Sequence, residues 1–367
     1  MPDHVSAAAM LLILAISSLP MLVAFSAPAI ASSGTATTST APTTSTTVSC
    51  SPSPVVVGSP VRCSATVAGS SPKGKVTWSS NGSGKFSRLS CRLSNGSCSV
   101  KYKPTSGSSP VTITASYAGD SNNPSSVGTF SLTVTPKTSE TTVSCTPTSV
   151  VAGSSTAVKC TAKVNGYSPT GNVAWSQTGG TGSVSFVSSA CTLSERRTSS
   201  TTTSVVIVTD SQSSITIVTG MKSSVTMACS VTMNGTTAGT VTVQAAYGGD
   251  SNDTVSSNTT ELTVRPARTS LSVSCTSSSV VVGSSTSCTA TLMGYVGSVA
   301  GETVTWSQTG AGSASLNSTT CTLSQGTCSV TMTGTTTGKV ALHAAYSGDP
   351  NNRGSSRTAK LTIKTAT

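Results

Sequence analysis

From about residue 45 onward the chain alternates apolar and polar side chains with a period of two. In the first stretch Val61, Cys63, Ala65 and Val67 interleave with Arg62, Ser64 and Thr66, and Cys98, Val100 and Tyr102 interleave with Ser99, Lys101 and Lys103. Successive side chains of an extended chain point to opposite sides, so this alternation predicts strands with one buried face. Seven such strands are predicted near 46–50, 60–68, 74–80, 85–91, 97–103, 110–118 and 128–135, separated by Gly, Pro, Asn and Ser turns. No segment carries helical periodicity over three turns.

The pattern occurs three times. Thr47-Val48-Ser49-Cys50, Thr142-Val143-Ser144-Cys145 and Ser272-Val273-Ser274-Cys275 open the copies, and Val-rich turns ending at Gly58, Gly153 and Gly283 follow. A second cysteine comes next (Cys63, Cys160, Cys288), then a tryptophan strand (Trp78, Trp175, Trp306), then two more cysteines. Each copy closes on a Tyr-x-Gly-Asp segment, at Tyr117-Ala118-Gly119-Asp120, Tyr247-Gly248-Gly249-Asp250 and Tyr346-Ser347-Gly348-Asp349. About seven short strands in some 90 residues, with a Trp in the third, predict an immunoglobulin-like sandwich. The fold class expected is all-β: three tandem immunoglobulin-like β-sandwich domains after an N-terminal signal peptide. Their expected bounds are 47–136, 137–266 and 267–367.

The Val-Gly turn after the first strand and the Tyr-x-Gly-Asp turn after the sixth resemble the bacterial and archaeal immunoglobulin-like repeats of cell-surface proteins. The resemblance covers about residues 45–367. It implies the sandwich fold and a role among stalks, adhesins, filaments and spacers, without choosing one. Cysteine stands where such repeats usually carry aliphatic residues, so the disulfides do not follow from the resemblance.

Four cysteines per copy allow three connectivities. The favoured one joins Cys50 to Cys63, Cys145 to Cys160 and Cys275 to Cys288 across the first two strands. It also joins Cys91 to Cys98, Cys191 to Cys229 and Cys321 to Cys328, since six residues between partners in the first and third copies suit facing strands. The second copy has about 31 extra residues between Cys191 and Cys229. There Thr203–Thr209 and Ser214–Thr219 flank a polar turn at Asp210–Ser213, predicting an inserted hairpin at about 195–225. It is either a decorated loop or an edge that pairs with another subunit.

Residues Ala7–Phe25 are almost wholly apolar and lead into Ala27-Pro28-Ala29-Ile30-Ala31-Ser32, the small-residue exit of a signal peptide. Cleavage is expected after Ala31, with an uncleaved membrane anchor as the alternative. Residues 32–46 read as a Ser/Thr-rich tether. An extracellular or cell-surface location follows, with no transmembrane span after cleavage.

Composition narrows the chemistry. Ser and Thr number 74 and 65 of 367 residues, charged residues are 8%, and there are two histidines, His4 and His343. That supply argues against an enzyme, and no catalytic residue or cofactor is expected. Trp78, Trp175 and Trp306 each follow a Val by two positions, so core packing is expected over sugar stacking. Asp120, Asp250 and Asp349, with Asn122, Asn123, Asn252, Asp253, Asn351 and Asn352, raise calcium. One or two acids per loop are too few for its six to eight oxygens, and no bound metal is expected. Zinc is not expected either, since the cysteine spacing is wrong. Asn81, Asn95, Asn234, Asn252, Asn258 and Asn317 lie in glycosylation sequons.

Charge is uneven. Residues 46–136 carry eight Lys or Arg against one Asp, for +7, whereas 137–266 carry +1 and 267–367 carry +4. Strand parity points Arg62, Lys101 and Lys103 outward, with Arg88 and Arg92 expected on the same sheet, as a possible docking site for an acidic polysaccharide or other cell-surface component. Nucleic acid is not expected. The leading functional expectation is a non-catalytic exported stalk or adhesin-like protein, three domains end to end reaching on the order of 100 Å. The alternatives are a filament or surface-lattice subunit that self-associates by strand pairing, and a glycan-binding accessory module.

Overall fold

The computed structural model describes residues 43–107, 109–206 and 216–366. These contain strands and no helix. The expected signal peptide, most of the tether and the Asp210–Ser213 turn lie outside the described residues.

The first sandwich runs β1 (Ser45–Ser51), β2 (Val55–Val56), β3 (Val61–Ala68), β4 (Lys75–Ser80), β5 (Gly84–Phe86), β6 (Ser90–Arg92), β7 (Ser97–Pro104), β8 (Val111–Tyr117), β9 (Ser126–Leu132) and β10 (Val134–Thr135). One sheet has the order β1-β3-β7-β5 and the other β6-β4-β8-β9, while β2 pairs in parallel with β10. Two differences from the sequence reading follow. The strand expected at 85–91 is two strands, β5 and β6, on opposite sheets, because the chain crosses between layers at Ser87–Leu89. Ser45 and Thr46, assigned to the tether, already belong to β1.

Alternation is what closes each core. Val61, Cys63, Ala65 and Val67 of β3 are buried, as are Val76 and Trp78 of β4 and Ile113, Ala115 and Tyr117 of β8. Each fully buried aliphatic side chain contributes about 1.5–3 kcal/mol. Buried residues of 145–264 and of 271–363 form two further, separate clusters. The same strand order recurs in both, with Glu140–Thr146, Val158–Asn165 and Thr216–Thr237 in the second and Ser270–Cys275, Ser285–Met293 and Thr327–Thr336 in the third corresponding to β1, β3 and β7.

The insertion extends a strand pair already present. Ser194–Val206 runs antiparallel to Thr216–Thr237 from Ser194 opposite Ala228 to Val206 opposite Thr216. The latter strand also supplies the equivalent of β7, pairing with Val158–Asn165 through residues 227–233.

Candidate functional site

The cysteines are paired as Cys50–Cys63, Cys91–Cys98, Cys145–Cys160, Cys191–Cys229, Cys275–Cys288 and Cys321–Cys328. The two kinds do different work. Cys50 lies opposite Cys63 in the β1–β3 register, at the point where the chain leaves that sheet to reach β2. Cys91 and Cys98 sit on opposite sheets and tie them together. Over this second bridge lies the tryptophan: Trp78 Nε1 donates to Cys91 Sγ at 3.1 Å, Trp175 to Cys191 at 3.2 Å and Trp306 to Cys321 at 3.1 Å. The buried indole N–H thus finds an acceptor in a core of Val and Ala. Disulfides persist in oxidising compartments, so six of them with no free cysteine fit a cell-surface protein of Ig-like repeats.

The Tyr-x-Gly-Asp turn is a hydrogen-bonded knot. The Gly residues have positive φ (89° at Gly119, 76° at Gly249, 95° at Gly348), which favours residues without a Cβ. Tyr117 donates to Asp120 at 2.8 Å and Tyr346 to Asp349 at 2.6 Å. The Tyr247 hydroxyl is buried with no hydrogen-bond partner. Asp120 accepts the amides of Lys73 and Asn122 and the Asn123 side chain, and these donors hold its carboxyl well below the usual range. Burial opposes ionisation of Asp250 and Asp349. Thr170 and Asn252 outweigh it at Asp250, and Tyr346, Asn352 and Asn351 do so at Asp349, leaving both lowered. Burial, then the adjacent aspartate, raises Tyr117 and Tyr346. These aspartate oxygens are therefore occupied by protein donors, and among the described residues no group of three or more acidic, His or Cys side chains could hold a metal.

The residues following that turn build the boundaries between sandwiches, a role the sequence reading missed. Asn252 accepts the Gly107 amide of the first sandwich through Oδ1 at 2.9 Å, and its carbonyl accepts the Lys137 amide at 2.8 Å. Asn351 repeats both bonds, to Ala238 at 2.8 Å and Ala267 at 2.7 Å. Beside them a side chain seats against a glycine turn of the preceding sandwich. A Cβ added at Gly58 would lie 2.3 Å from the Tyr167 ring, and one at Gly153 would lie 2.5 Å from Val296. At the corresponding Gly283 of the third sandwich nothing lies within 4 Å. Asp253 and Asn352 hold the two wedges in place: Asp253 accepts the Tyr167 amide at 2.5 Å and Asn352 the Val296 amide at 2.7 Å. In the first sandwich Asn123 accepts Ser70, so a small polar residue stands at the wedge position. The signal is an Asn two residues after each Asp, which the sequence alone reads as a calcium ligand or, at Asn252, a glycosylation sequon.

Three of the five expected cations, together with one missed, lie on the first sheet, and the side chain of a fourth reaches onto it. Arg62 of β3 lies opposite Lys101 of β7, and Lys103 of β7 lies opposite Lys85 of β5. Arg88, exposed beyond β5, donates through Nη2 to the Ser99 carbonyl at 2.8 Å, crossing onto β7. Arg92 departs from the expectation: it lies on β6, opposite Lys75 of β4, on the other sheet. Its parity was right, but the chain had changed layers. Lys85 falls within the strand expected at 85–91 but is not among the expected cations; it lies on β5, which ends one residue later at Phe86.

Among the described residues no helix is long and apolar enough to cross a membrane. Residues 46–135 match the family model described as bacterial Ig-like domain (group 3). No curated protein sequence matches the chain. Among solved structures the chain is similar to invasin, described as a bacterial integrin-binding protein, at 16% identity over 88% of this chain and 60% of that one, with a TM-score of 0.36. It is similar to FdeC, an Escherichia coli adhesin, at 13% identity over 87% of this chain and 96% of that one, with a TM-score of 0.25. It is also similar to domains 1–6 of the surface layer protein SbsC at 11% identity over 89% of this chain and 55% of that one, with a TM-score of 0.24. The chain thus spans about 60% of the invasin structure, and these likenesses concern fold alone. Residues 46–135 are thus similar to a bacterial Ig-like domain (group 3), and the two sandwiches that follow repeat the strand order and cysteine register of those residues.

Proposed function

We propose that this protein is a non-catalytic, exported surface spacer of the stalk or adhesin-like kind, with domains at 47–136, 137–266 and 267–367. The observation that carries this reading is the boundary built twice from equivalent residues: Asn252 with Tyr167, and Asn351 with Val296. A repeated hydrogen bond and a repeated apolar wedge fix each sandwich to the one before it, which is what a spacer requires and an independent string of domains does not. Small-angle scattering on the full chain tests it. The wild-type protein should give one sharply defined, concentration-independent maximum dimension. A variant with Asn252→Ala, Tyr167→Ser, Asn351→Ala and Val296→Ser should give a broader distance distribution. Equal profiles would remove the reading.

A second reading, a filament or lattice subunit, is favoured by the strand Ser194–Val206, which is paired through Thr216–Thr237 at the edge of its sheet. Edge strands are templates for further pairing. Mass that grows with concentration in light scattering, and no longer does so after deletion of 196–224, would favour it over the spacer.

A further inference from the structure

We infer that the outer face of the β1-β3-β7-β5 sheet binds a linear acidic polysaccharide. Like charges placed directly opposite each other across antiparallel strands are destabilising. This sheet has two such pairs side by side, Arg62 with Lys101 and Lys85 with Lys103, all four exposed. Neighbouring strands are about 4.8 Å apart and alternate residues about 6.8 Å, so the four cations occupy a patch of roughly 10 by 7 Å. Arg88, tethered to Ser99, adds a fifth at its border.

The repeats supply the comparison that makes this informative. At the position of the Arg62–Lys101 pair the third sandwich has Ser287 opposite Thr331, and the second has Lys159 opposite Thr232. At the position of the Lys85–Lys103 pair they have Ser315 opposite Thr333 and Ser185 opposite Asn234. The fold is therefore satisfied by one cation or none at each of these pairs, and only the first sandwich doubles both. The sole acid among residues 46–136, Asp120, is committed to the amides of Lys73 and Asn122, leaving the patch without an internal counter-charge.

The rest of the face selects the partner. Ser49, Ser51, Ser64, Thr66, Ser97 and Ser99 share the outward parity of these cations on β1, β3 and β7. Hydroxyls offer both donors and acceptors to sugar hydroxyls, while the cations meet carboxylate or sulfate groups. No aromatic residue of β1, β3, β5 or β7 has this parity: Tyr102 is buried and Phe86 packs on it with ring centroids 4.8 Å apart. Base stacking, on which single-stranded nucleic acid recognition relies, has no platform here.

This inference is independent of the spacer reading. Its test uses the full oxidised chain with polygalacturonate as the probe, at low and moderate salt. The variant Arg62→Ser, Lys85→Ser, Lys101→Thr, Lys103→Thr installs the residues of the third sandwich at the same register. It should bind about tenfold more weakly or worse and with a shallower salt dependence, since fewer counterions are exchanged. Its thermal transition should not fall, because two repulsive pairs are gone. The control Lys339→Thr, Arg357→Ser, Lys360→Thr, Lys364→Thr removes the same charge from the third sandwich and should keep binding within about threefold. Failure of the wild-type chain to bind, equal loss in both variants, or no loss in the first would overturn the inference. So would equally tight, variant-sensitive binding of a single-stranded oligonucleotide or of anionic phospholipid vesicles, which would assign the patch to another class of partner.

Discussion

The side chain of Asn252 accepts the backbone amide of Gly107 at 2.9 Å, joining two successive sandwiches beside the Tyr167 contact, and Asn351 does the same to Ala238 at 2.8 Å. A hydrogen bond of this kind contributes about 1 kcal/mol, enough to bias orientation but too little to decide whether a sandwich folds. Asn252→Ala is therefore expected to raise hydrogen exchange at the Gly107 amide several-fold while leaving protection of β3, of β8 and of the Lys137 amide, which bonds to the Asn252 backbone carbonyl, unchanged. Uniform loss of protection would show that Asn252 supports the sandwich itself.

Two glycines of the same conformation separate backbone strain from contact. Gly58 and Gly283 both have φ of 80°, but a Cβ at Gly58 meets the Tyr167 ring and one at Gly283 meets nothing within 4 Å. Gly283→Ala should cost about 1–2 kcal/mol, the strain of an L-residue in that conformation. Gly58→Ala should cost the same and also displace Tyr167. Calorimetry together with amide exchange at Tyr167 checks the difference.

The bridges Cys91–Cys98, Cys191–Cys229 and Cys321–Cys328 each accept an indole hydrogen bond. A disulfide in contact with an excited indole quenches it, so reduction should raise tryptophan emission for all three Trp residues. Cys91→Ala with Cys98→Ala should destabilise the first sandwich by about 2–4 kcal/mol and brighten Trp78 alone. Unchanged emission on reduction would contradict the contact.

The Tyr–Asp pairs set a pH window. The carboxyls of Asp120, Asp250 and Asp349 are lowered in the folded chain, so their contribution is present above the unfolded value near 3.9 and is lost as pH falls through the folded values. Tyr117 and Tyr346 are raised, so their contribution is present below about 10 and is lost as pH rises beyond it. Stability should be flat from about pH 5 to 9 and decline outside that range. Asp120→Asn and Asp349→Asn together should soften the acid limb in a denaturant titration across pH.

Much of the fold was legible because alternation is an intrinsic consequence of one-sided burial: the buried set Val61, Cys63, Ala65 and Val67 is the set the sequence marks. What alternation does not carry is the layer on which a short strand lies. Gly84–Phe86 and Ser90–Arg92 are three residues each, and the crossing between them moved Arg92 away from Arg62 while Lys85 joined the patch. The boundary residues were harder still. Asn252 touches Gly107, 145 positions away, and polarity alone does not reveal which of its neighbours an Asn satisfies.

Tension along the chain would follow the covalent shortcuts. A pull arriving through β1 passes at Cys50 directly into β3, so the backbone inside the loop closed by Cys50–Cys63, β2 included, adds nothing to the extension until that bond is cut. In the second sandwich the shortcut from Cys191 to Cys229 bypasses a sequence separation of 38, and the whole inserted hairpin lies within it. However hard the ends are drawn, that hairpin is neither stretched nor counted in the extension, and it rides on the strained chain as an unloaded appendage.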